Sequence, residues 1–257
     1  MNPRSELGRL MYSSLLLDQA GPLAPDKNKY LISYFKSMPQ PKLIFLDYDG
    51  TIAIREYTFE LFKRFNNLKF LKGTANYFVK KYTEGKLPIF LEPFAYVLLL
   101  YCLRGSKVDE INDYISKTIQ NYLVGGVQEI IKEFKSRGIK VGIVSENIQF
   151  QPKYAAKILG ADLICSNEVK TKEGKLTGKI SRFSRKKGMI KKIAEDFSLD
   201  MKEILYVGDD ADPSDLVKIV MFDPKRKSYL KKVDNKNCFL IKSLKELPSL
   251  LDNINLS

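Results

Sequence analysis

The sequence predicts an α/β protein in which a parallel sheet receives a helical insert after its first strand. Segments typical of helices and strands alternate from Gly125 onward, as in a parallel sheet covered by helices on both faces. Residues 43–46 are apolar at every position, which is typical of a central strand buried on both sides. Residues 55–124 instead repeat apolar side chains at helical spacing. We therefore divide the chain into an N-terminal arm (1–39), an α/β core (40–54 and 125–257) and a helical cap (55–124).

The N-terminal arm contains a predicted short amphipathic helix, because Leu7, Leu10, Met11 and Leu15 fall at helical spacing. The arm could pack on the core, pair with another subunit or contact a membrane surface. We favour packing on the core, and we leave open whether the chain is a monomer or a homodimer.

The remaining elements follow in order along the core. We predict helices at 127–136, 155–159 and 189–197, a hairpin at 171–180, and strands at 141–144, 163–165, 204–207 and 219–222. Three strands end in polar residues, namely Asp47, Ser145 and Asp209. Ligands bind at the carboxyl ends of the strands in open parallel sheets, so we expect the site at this edge.

The composition excludes several kinds of chemistry. The chain has 257 residues and no histidine, which excludes Ser-His-Asp and Cys-His catalysis and histidine metal sites. Its 43 Lys and Arg against 30 Asp and Glu give a net charge of +13, which favours anionic partners. Three scattered cysteines and no apolar run of about 20 residues favour a cytoplasmic protein.

The segment Asp47-Tyr48-Asp49-Gly50-Thr51 is the strongest chemical signal in the chain. Two carboxylates so close together repel each other unless a cation or a shared proton lies between them. Mg²⁺ prefers hard oxygen ligands, and it is therefore the cofactor that we expect. Gly50 allows the backbone to turn close to an anion.

Further motifs follow this segment in a fixed order. Ser145 ends a second strand, Lys186 or Lys187 opens a helix, and Gly208-Asp209-Asp210 ends a third strand. In this order the four motifs resemble those of the haloacid dehalogenase superfamily of phosphohydrolases. The resemblance is closer to the phosphoserine-phosphatase-like branch. It rests on the helical insert, Gly125-Gly126-Val127, Arg137-Gly138-Ile139, Leu159-Gly160-Ala161-Asp162, Glu173-Gly174-Lys175-Leu176-Thr177-Gly178, and Glu56 nine residues after Asp47.

The resemblance implies a Rossmann-like core and a role for each matching residue. Asp47 would be the nucleophile that forms an aspartyl-phosphate, and Asp49 the general acid and then base. The motif lysine would neutralise phosphoryl charge; the spacing favours Lys186, whereas the Lys-Gly pair points to Lys187. The implied substrate contacts are Gly50, Thr51, Glu56, Ser145, Glu146 and Asn147. The implied metal ligands are Asp47, Asp49 through its backbone carbonyl, and Asp209, with Asp210, Asp212 or Asp215 as the second carboxylate of the last motif.

Two departures from the branch concern the substrate. Glu146 stands where the branch commonly has glycine, either as a solvated loop residue or as a contact for a cationic group. Tyr96 takes the place of the arginine that binds the substrate carboxylate in the branch, which disfavours phosphoserine. The cap offers Phe90, Phe94, Tyr96 and Tyr101 instead. We expect most of these to be core residues of the cap, although an aromatic cap also suits an apolar or ring-bearing leaving group.

We therefore expect a Mg²⁺-dependent phosphatase for a small phosphorylated metabolite. One alternative is a phosphatase for lipid or isoprenoid phosphates in peripheral contact with a membrane, which the arm and the basic surface favour. Another is a non-catalytic module that binds phosphate or nucleic acid, although we do not expect a nucleic-acid partner. Basic residues cluster at 182–192 and 225–227, as an electrostatic funnel or as an ordinary solvated surface.

Overall fold

A computed structural model describes residues 40–54, 56–67, 72–83, 91–210, 217–222 and 238–255. The predicted arm, the basic cluster at 225–227, and both Asp212 and Asp215 lie outside the described residues. The division into arm, core and cap stays a prediction.

A seven-stranded sheet forms the centre of the protein. Its strands are β1 (Leu43–Asp47), β2 (Lys140–Ile148), β3 (Leu163–Lys172), β4 (Lys175–Arg182), β5 (Ile204–Gly208), β6 (Lys218–Phe222) and β7 (Cys238–Ile241). The order across the sheet is β4-β3-β2-β1-β5-β6-β7. All neighbouring pairs are parallel except β3 and β4. The predicted α/β class is thus confirmed, and β1 lies at the centre, between β2 and β5.

The two faces of the sheet are packed by different helices, because successive side chains of β1 point to opposite sides. Among the described residues, the helices after the insert are α5 (Val127–Ser136), α6 (Phe150–Leu159), α7 (Lys186–Asp196) and α8 (Leu247–Asn255). Ile44 and Leu46 belong to the same buried cluster as residues of α5, α6 and α8. Leu43 and Phe45 pack in a second cluster with residues of α7. These clusters fix β1 between two apolar layers.

The described residues between β1 and β2 form four helices, as the helical spacing of 55–124 predicts. They are α1 (Glu56–Phe65), α2 (Lys72–Thr83), α3 (Glu92–Cys102) and α4 (Val108–Thr118), with a 3₁₀ turn at Ile119–Tyr122. The insert is tied to the hairpin of β3 and β4 by backbone hydrogen bonds: Gly105 N–H donates to the Leu176 carbonyl at 2.8 Å, and Leu176 N–H donates to the Ser106 carbonyl at 2.9 Å. Tyr57 of α1 stacks on Tyr122, with 4.2 Å between ring centroids, and so holds the two ends of the insert together.

Several elements differ from the predicted boundaries. The strand predicted at 163–165 and the first half of the predicted hairpin form one continuous strand, β3. Much of β3 is exposed, so it lacks the apolar run that marks a buried strand. The sequence interpretation did not include β7 or α8, and β7 has only four residues. None of the described helices is long and apolar enough to cross a membrane.

Candidate active site

Asp47 is the last residue of the central strand and is almost fully buried. Its Oδ1 accepts a hydrogen bond from Tyr48 N–H at 2.8 Å. The chain then turns sharply, because Ile52 N–H donates to the Asp47 carbonyl at 3.3 Å and Ala53 N–H donates to the Tyr48 carbonyl at 2.9 Å. Gly50 has φ +79° at this turn, a conformation that residues with a side chain rarely adopt. The turn leaves Asp47 at the carboxyl edge of the sheet.

Three carboxylates converge at this edge, since β1 and β5 are neighbours in the sheet. Oxygens of Asp47, Asp209 and Asp210 lie within 4.8 Å of one another. The Oδ2 atom of Asp47 is buried and has no hydrogen-bond partner among the described residues. Three carboxylates that meet in a largely buried position, one of them only partly satisfied by protein contacts, form a set of hard oxygen donors that fits a divalent cation such as Mg²⁺. The side chain of Asp49 does not belong to this group of described residues.

Lys186 lies inside the carboxylate cluster, whereas Lys187, the next residue of α7, is exposed. The Lys186 Nζ atom is 2.9 Å from Asp47 Oδ1, and it also bonds to Asp210 Oδ2. It donates to the Tyr206 hydroxyl at 3.1 Å. The first residue of α7 therefore brings a buried cation to the ends of β1 and β5.

The charges of the cluster change the proton affinities of its members. Burial raises the pKa of Asp47 most strongly; Lys186 opposes this effect, Asp209 and Asp210 add to it, and the pKa lies well above its usual range. Burial alone would lower the pKa of Lys186, but Asp210 and Asp47 outweigh it and raise that pKa well above its usual range. The lysine thus stays charged. A second cation would stabilise the ionised carboxylates further.

Ser145 and Thr51 are the two predicted substrate contacts that carry hydroxyl groups. Both residues are almost fully buried. The Ser145 Oγ donates to Asp49 Oδ2 at 3.3 Å and accepts from Asn147 N–H at 2.9 Å. The Thr51 Oγ1 has no hydrogen-bond partner in the described part of the chain, although it is buried. This hydroxyl is available to a ligand oxygen.

The side chains of the other predicted substrate contacts either bond to other groups of the protein or lie outside the described residues. Glu146 is half-buried, and its Oε1 accepts from Lys186 N–H at 3.4 Å, at the start of α7. The buried side chain of Asn147 instead bonds within its own segment: its Oδ1 accepts from Ile148 N–H at 2.8 Å, and its Nδ2 donates to Gln151 at 3.3 Å. Glu56 is the first residue of α1, and its side chain lies outside the described residues.

Two residues that support the site were missed in the sequence. The Tyr206 hydroxyl contacts Lys186 at 3.1 Å and Asp210 Oδ1 at 3.3 Å. The buried Asn167 donates to the Glu146 carbonyl at 2.6 Å and accepts from Ser184 N–H at 2.7 Å. Asn167 thereby ties the end of β2 to the segment that leads into Lys186. Asn167 is a buried polar residue within a strand, and that was its signal; Tyr206 gave none, because its strand reads as apolar throughout.

Tyr96 of α3 is a residue of the helical insert that approaches this edge. Burial raises its pKa most, and the nearby carboxylates of Asp49 and Glu146 raise it further. The hydroxyl lies near Asn167, but among the described residues it makes no hydrogen bond of normal geometry. Phe183 lies beside the Tyr96 ring, with 6.4 Å between the centroids. The cap thus presents an aromatic side chain with a polar tip.

Curated proteins of similar sequence include phosphoserine phosphatases. The phosphoserine phosphatase of Methanocaldococcus jannaschii is 28% identical over 181 residues, which cover 69% of this chain and 81% of the relative. The phosphoserine phosphatase of Wolinella succinogenes is 30% identical over 137 residues, which cover 52% and 64% of the two chains.

Solved structures show the same fold. A phosphoserine phosphatase solved as a phospho-aspartyl intermediate analogue matches with a TM-score of 0.62 and 24% identity, over 82% of this chain and 99% of the other. A haloacid dehalogenase family hydrolase from Salmonella enterica matches with a TM-score of 0.68 and 18% identity, over 90% and 81% of the two chains. Residues 41–212, which include every motif described above, match the haloacid dehalogenase-like hydrolases, and the chain belongs to that family.

Proposed function

We propose that the protein hydrolyses a phosphate monoester of a small metabolite, with Asp47 as the nucleophile. The observation that carries this proposal is the asymmetry of the Asp47 carboxylate. Its Oδ1 is held by Tyr48 N–H and by Lys186, whereas its buried Oδ2 has no partner among the described residues. A carboxylate that is fixed through one oxygen presents the other for attack on phosphorus.

The reaction would proceed in two displacements. Asp47 Oδ2 forms a bond to phosphorus while the bond to the leaving oxygen breaks, and Asp49 gives that oxygen its proton. In the second step Asp49 removes a proton from water, the water oxygen attacks phosphorus, and the bond to Asp47 breaks. The position of Asp49 beside Ser145 supports this role, since their side chains are 3.3 Å apart.

The charge that gathers on the phosphoryl oxygens needs positive partners. Lys186 would fill this role, which its contacts with Asp47 and Asp210 support, and the hydroxyls of Thr51 and Ser145 would donate to the same oxygens. Asp47, Asp209 and Asp210 would hold Mg²⁺, which would supply further charge neutralisation. We also propose that the backbone carbonyl of Asp49 would contact the metal ion.

The substrate is proposed from the cap. The similar phosphatases are named for phosphoserine, but Tyr96 stands where this chain would need an arginine to hold a carboxylate. The chain contains no arginine between Arg64 and Arg104. We therefore propose a leaving group that lacks a carboxylate and packs against Tyr96 and Phe183.

Hydrolysis of p-nitrophenyl phosphate with increasing Mg²⁺ tests the proposal. Turnover that depends on the metal and disappears in Asp47→Asn is expected. Asp113→Asn is the matched control, because Asp113 is an exposed carboxylate paired with Lys117 on α4. If neither p-nitrophenyl phosphate nor a panel of phosphorylated metabolites is hydrolysed, and beryllium fluoride does not bind to the wild type, the proposed function is wrong.

A further inference from the structure

Helix α3 is apolar on two opposite faces. One face carries Leu99, Leu100 and Leu103 at the end of the helix, all of which are buried in the core. On the other face, Phe94 is 58% exposed, Val97 57% and Tyr101 44%. The helical repeat places residues spaced by three and four positions on one side. A helix that covers a core on one face normally carries polar residues on the other, and α3 does not.

The exposed face continues onto the neighbouring helix α2. Tyr77 is 60% exposed. Its ring lies 5.9 Å from that of Phe78, and the Phe78 ring lies 5.8 Å from that of Phe94. We call Tyr77, Phe78, Phe94, Val97 and Tyr101 the outer cap patch. Large connected apolar areas on a protein surface commonly mark interaction sites.

Basic side chains border the outer cap patch. The Lys81 amine lies 5.8 Å from the centroid of the Tyr77 ring, and the Arg104 guanidinium lies 5.9 Å from that of Tyr101. Lys80 is exposed beside them on α2. Helix α2 contains no acidic residue, and α3 contains one, at its first position. The border therefore has the same sign of charge as the whole chain, at +13.

We propose that the outer cap patch binds an anionic lipid surface. Aromatic rings prefer the headgroup level of a bilayer, where an apolar body and a polar tip are both satisfied. Basic residues next to such rings are attracted by anionic headgroups. A second copy of this chain is a poorer occupant, because a twofold contact would place the basic borders of the two patches against each other. This proposal does not depend on the proposed hydrolysis.

Co-sedimentation with vesicles tests the proposal on the full chain. Vesicles of phosphatidylcholine alone are compared with vesicles that also contain phosphatidylserine, at low and high salt. We expect binding to the anionic vesicles that weakens at high salt. Exchange of Lys80 and Lys81 for glutamine should weaken binding by about fivefold per lysine, which corresponds to about 1 kcal/mol each.

A variant that carries Phe94→Ser, Val97→Ser and Tyr101→Ser should lose binding by more than about tenfold, because the removed side chains would bury apolar area in the bilayer. Phe197→Ser, at another exposed aromatic residue, is the matched control and should bind as the wild type does. Thermal unfolding followed by circular dichroism checks that both variants fold. A wild type that binds neither vesicle, or a patch variant that binds like the control, would overturn the proposal. The proposal would also be overturned if the patch variant no longer formed a dimer that the wild type forms in solution but still bound vesicles as the wild type does.

Discussion

Replacement of Lys186 by methionine tests the assembly of the site more sharply than any other single change. Methionine keeps most of the length of the side chain and removes its charge and its N–H donors. Lys187 provides a matched control, because it is the next residue of the same helix and is exposed. Lys187→Met removes the same charge from the chain as a whole, so the difference between the two variants reports the buried position alone.

The size of the effect follows from the contacts of the Lys186 amine. It lies 2.9 Å from Asp47 and also bonds to Asp210, and both side chains are largely buried. Removal of one partner from a buried ion pair costs about 3–5 kcal/mol. That is a large part of the roughly 5–15 kcal/mol by which domains are stable, so kcat is compared only under conditions in which urea denaturation shows the variant to be folded. Loss of a charge that stabilises a developing oxyanion lowers kcat by about 10²–10³-fold.

The assays are urea denaturation and the kcat for p-nitrophenyl phosphate at saturating Mg²⁺. Lys186→Met should lower both the free energy of unfolding and the kcat by these amounts. Lys187→Met should change the free energy of unfolding by less than about 0.5 kcal/mol, as exposed substitutions usually do. If Lys187→Met abolishes turnover while Lys186→Met remains active, the assignment of the buried lysine to the phosphoryl group is refuted.

Three further changes probe other parts of the molecule. Gly208→Ala would add a methyl group in the space that the Tyr206 hydroxyl occupies. We expect the free energy of unfolding, measured by urea denaturation, to fall by about 1–3 kcal/mol and turnover to weaken. Unchanged stability and turnover would contradict this contact. Burial opposes ionisation of Asp162, but Lys135 outweighs burial and lowers the pKa of Asp162. The stabilisation that the ionised Asp162 contributes should therefore be present above pH about 4 and be lost as the pH falls through the lowered pKa. Asp162→Asn should flatten this part of the plot of the urea midpoint against pH. Tyr96→Arg should raise the ratio of kcat/KM for phosphoserine to kcat/KM for p-nitrophenyl phosphate by about 10-fold or more, which is the contribution of one charged hydrogen bond. An unchanged ratio would contradict the proposal that residue 96 lies beside the leaving group.

The central part of the sheet could be predicted because each of its strands is buried on both faces and reads as an unbroken apolar run. The strands β1 and β5 show this pattern, and their positions follow from it. The edges of the sheet could not be predicted in the same way. The strand β3 pairs with β4 beyond the core, where its side chains are exposed and alternate poorly, and β7 is too short for a periodic signal.

The carboxylates of the site could be predicted because they follow strands whose ends must meet at one edge. The choice between the two lysines depends instead on the rotation of α7, which a sequence determines only through the residues that the helix buries. Met189 and Ile190 face the sheet, and the first turn of the same helix brings Lys186 rather than Lys187 to Asp47. The role of Asn167 was hidden for another reason. Its two partners, the Glu146 carbonyl and Ser184 N–H, are distant in sequence and become neighbours only after the strands pair.

Tyr206 shows why such supporting contacts are hard to predict from the amino-acid sequence. Its strand reads as apolar throughout, and a tyrosine in such a strand usually contributes its ring to a core. The pleat places residues 206 and 208 on the same face, and because residue 208 is glycine, the hydroxyl can occupy the space that a Cβ would fill. From there it contacts both Lys186 and Asp210. Gly208, Tyr206 and Lys186 therefore depend on one another, because the glycine leaves space for the hydroxyl and the hydroxyl contacts the lysine amine. This arrangement holds the buried cation in place with protein contacts alone, before any substrate arrives.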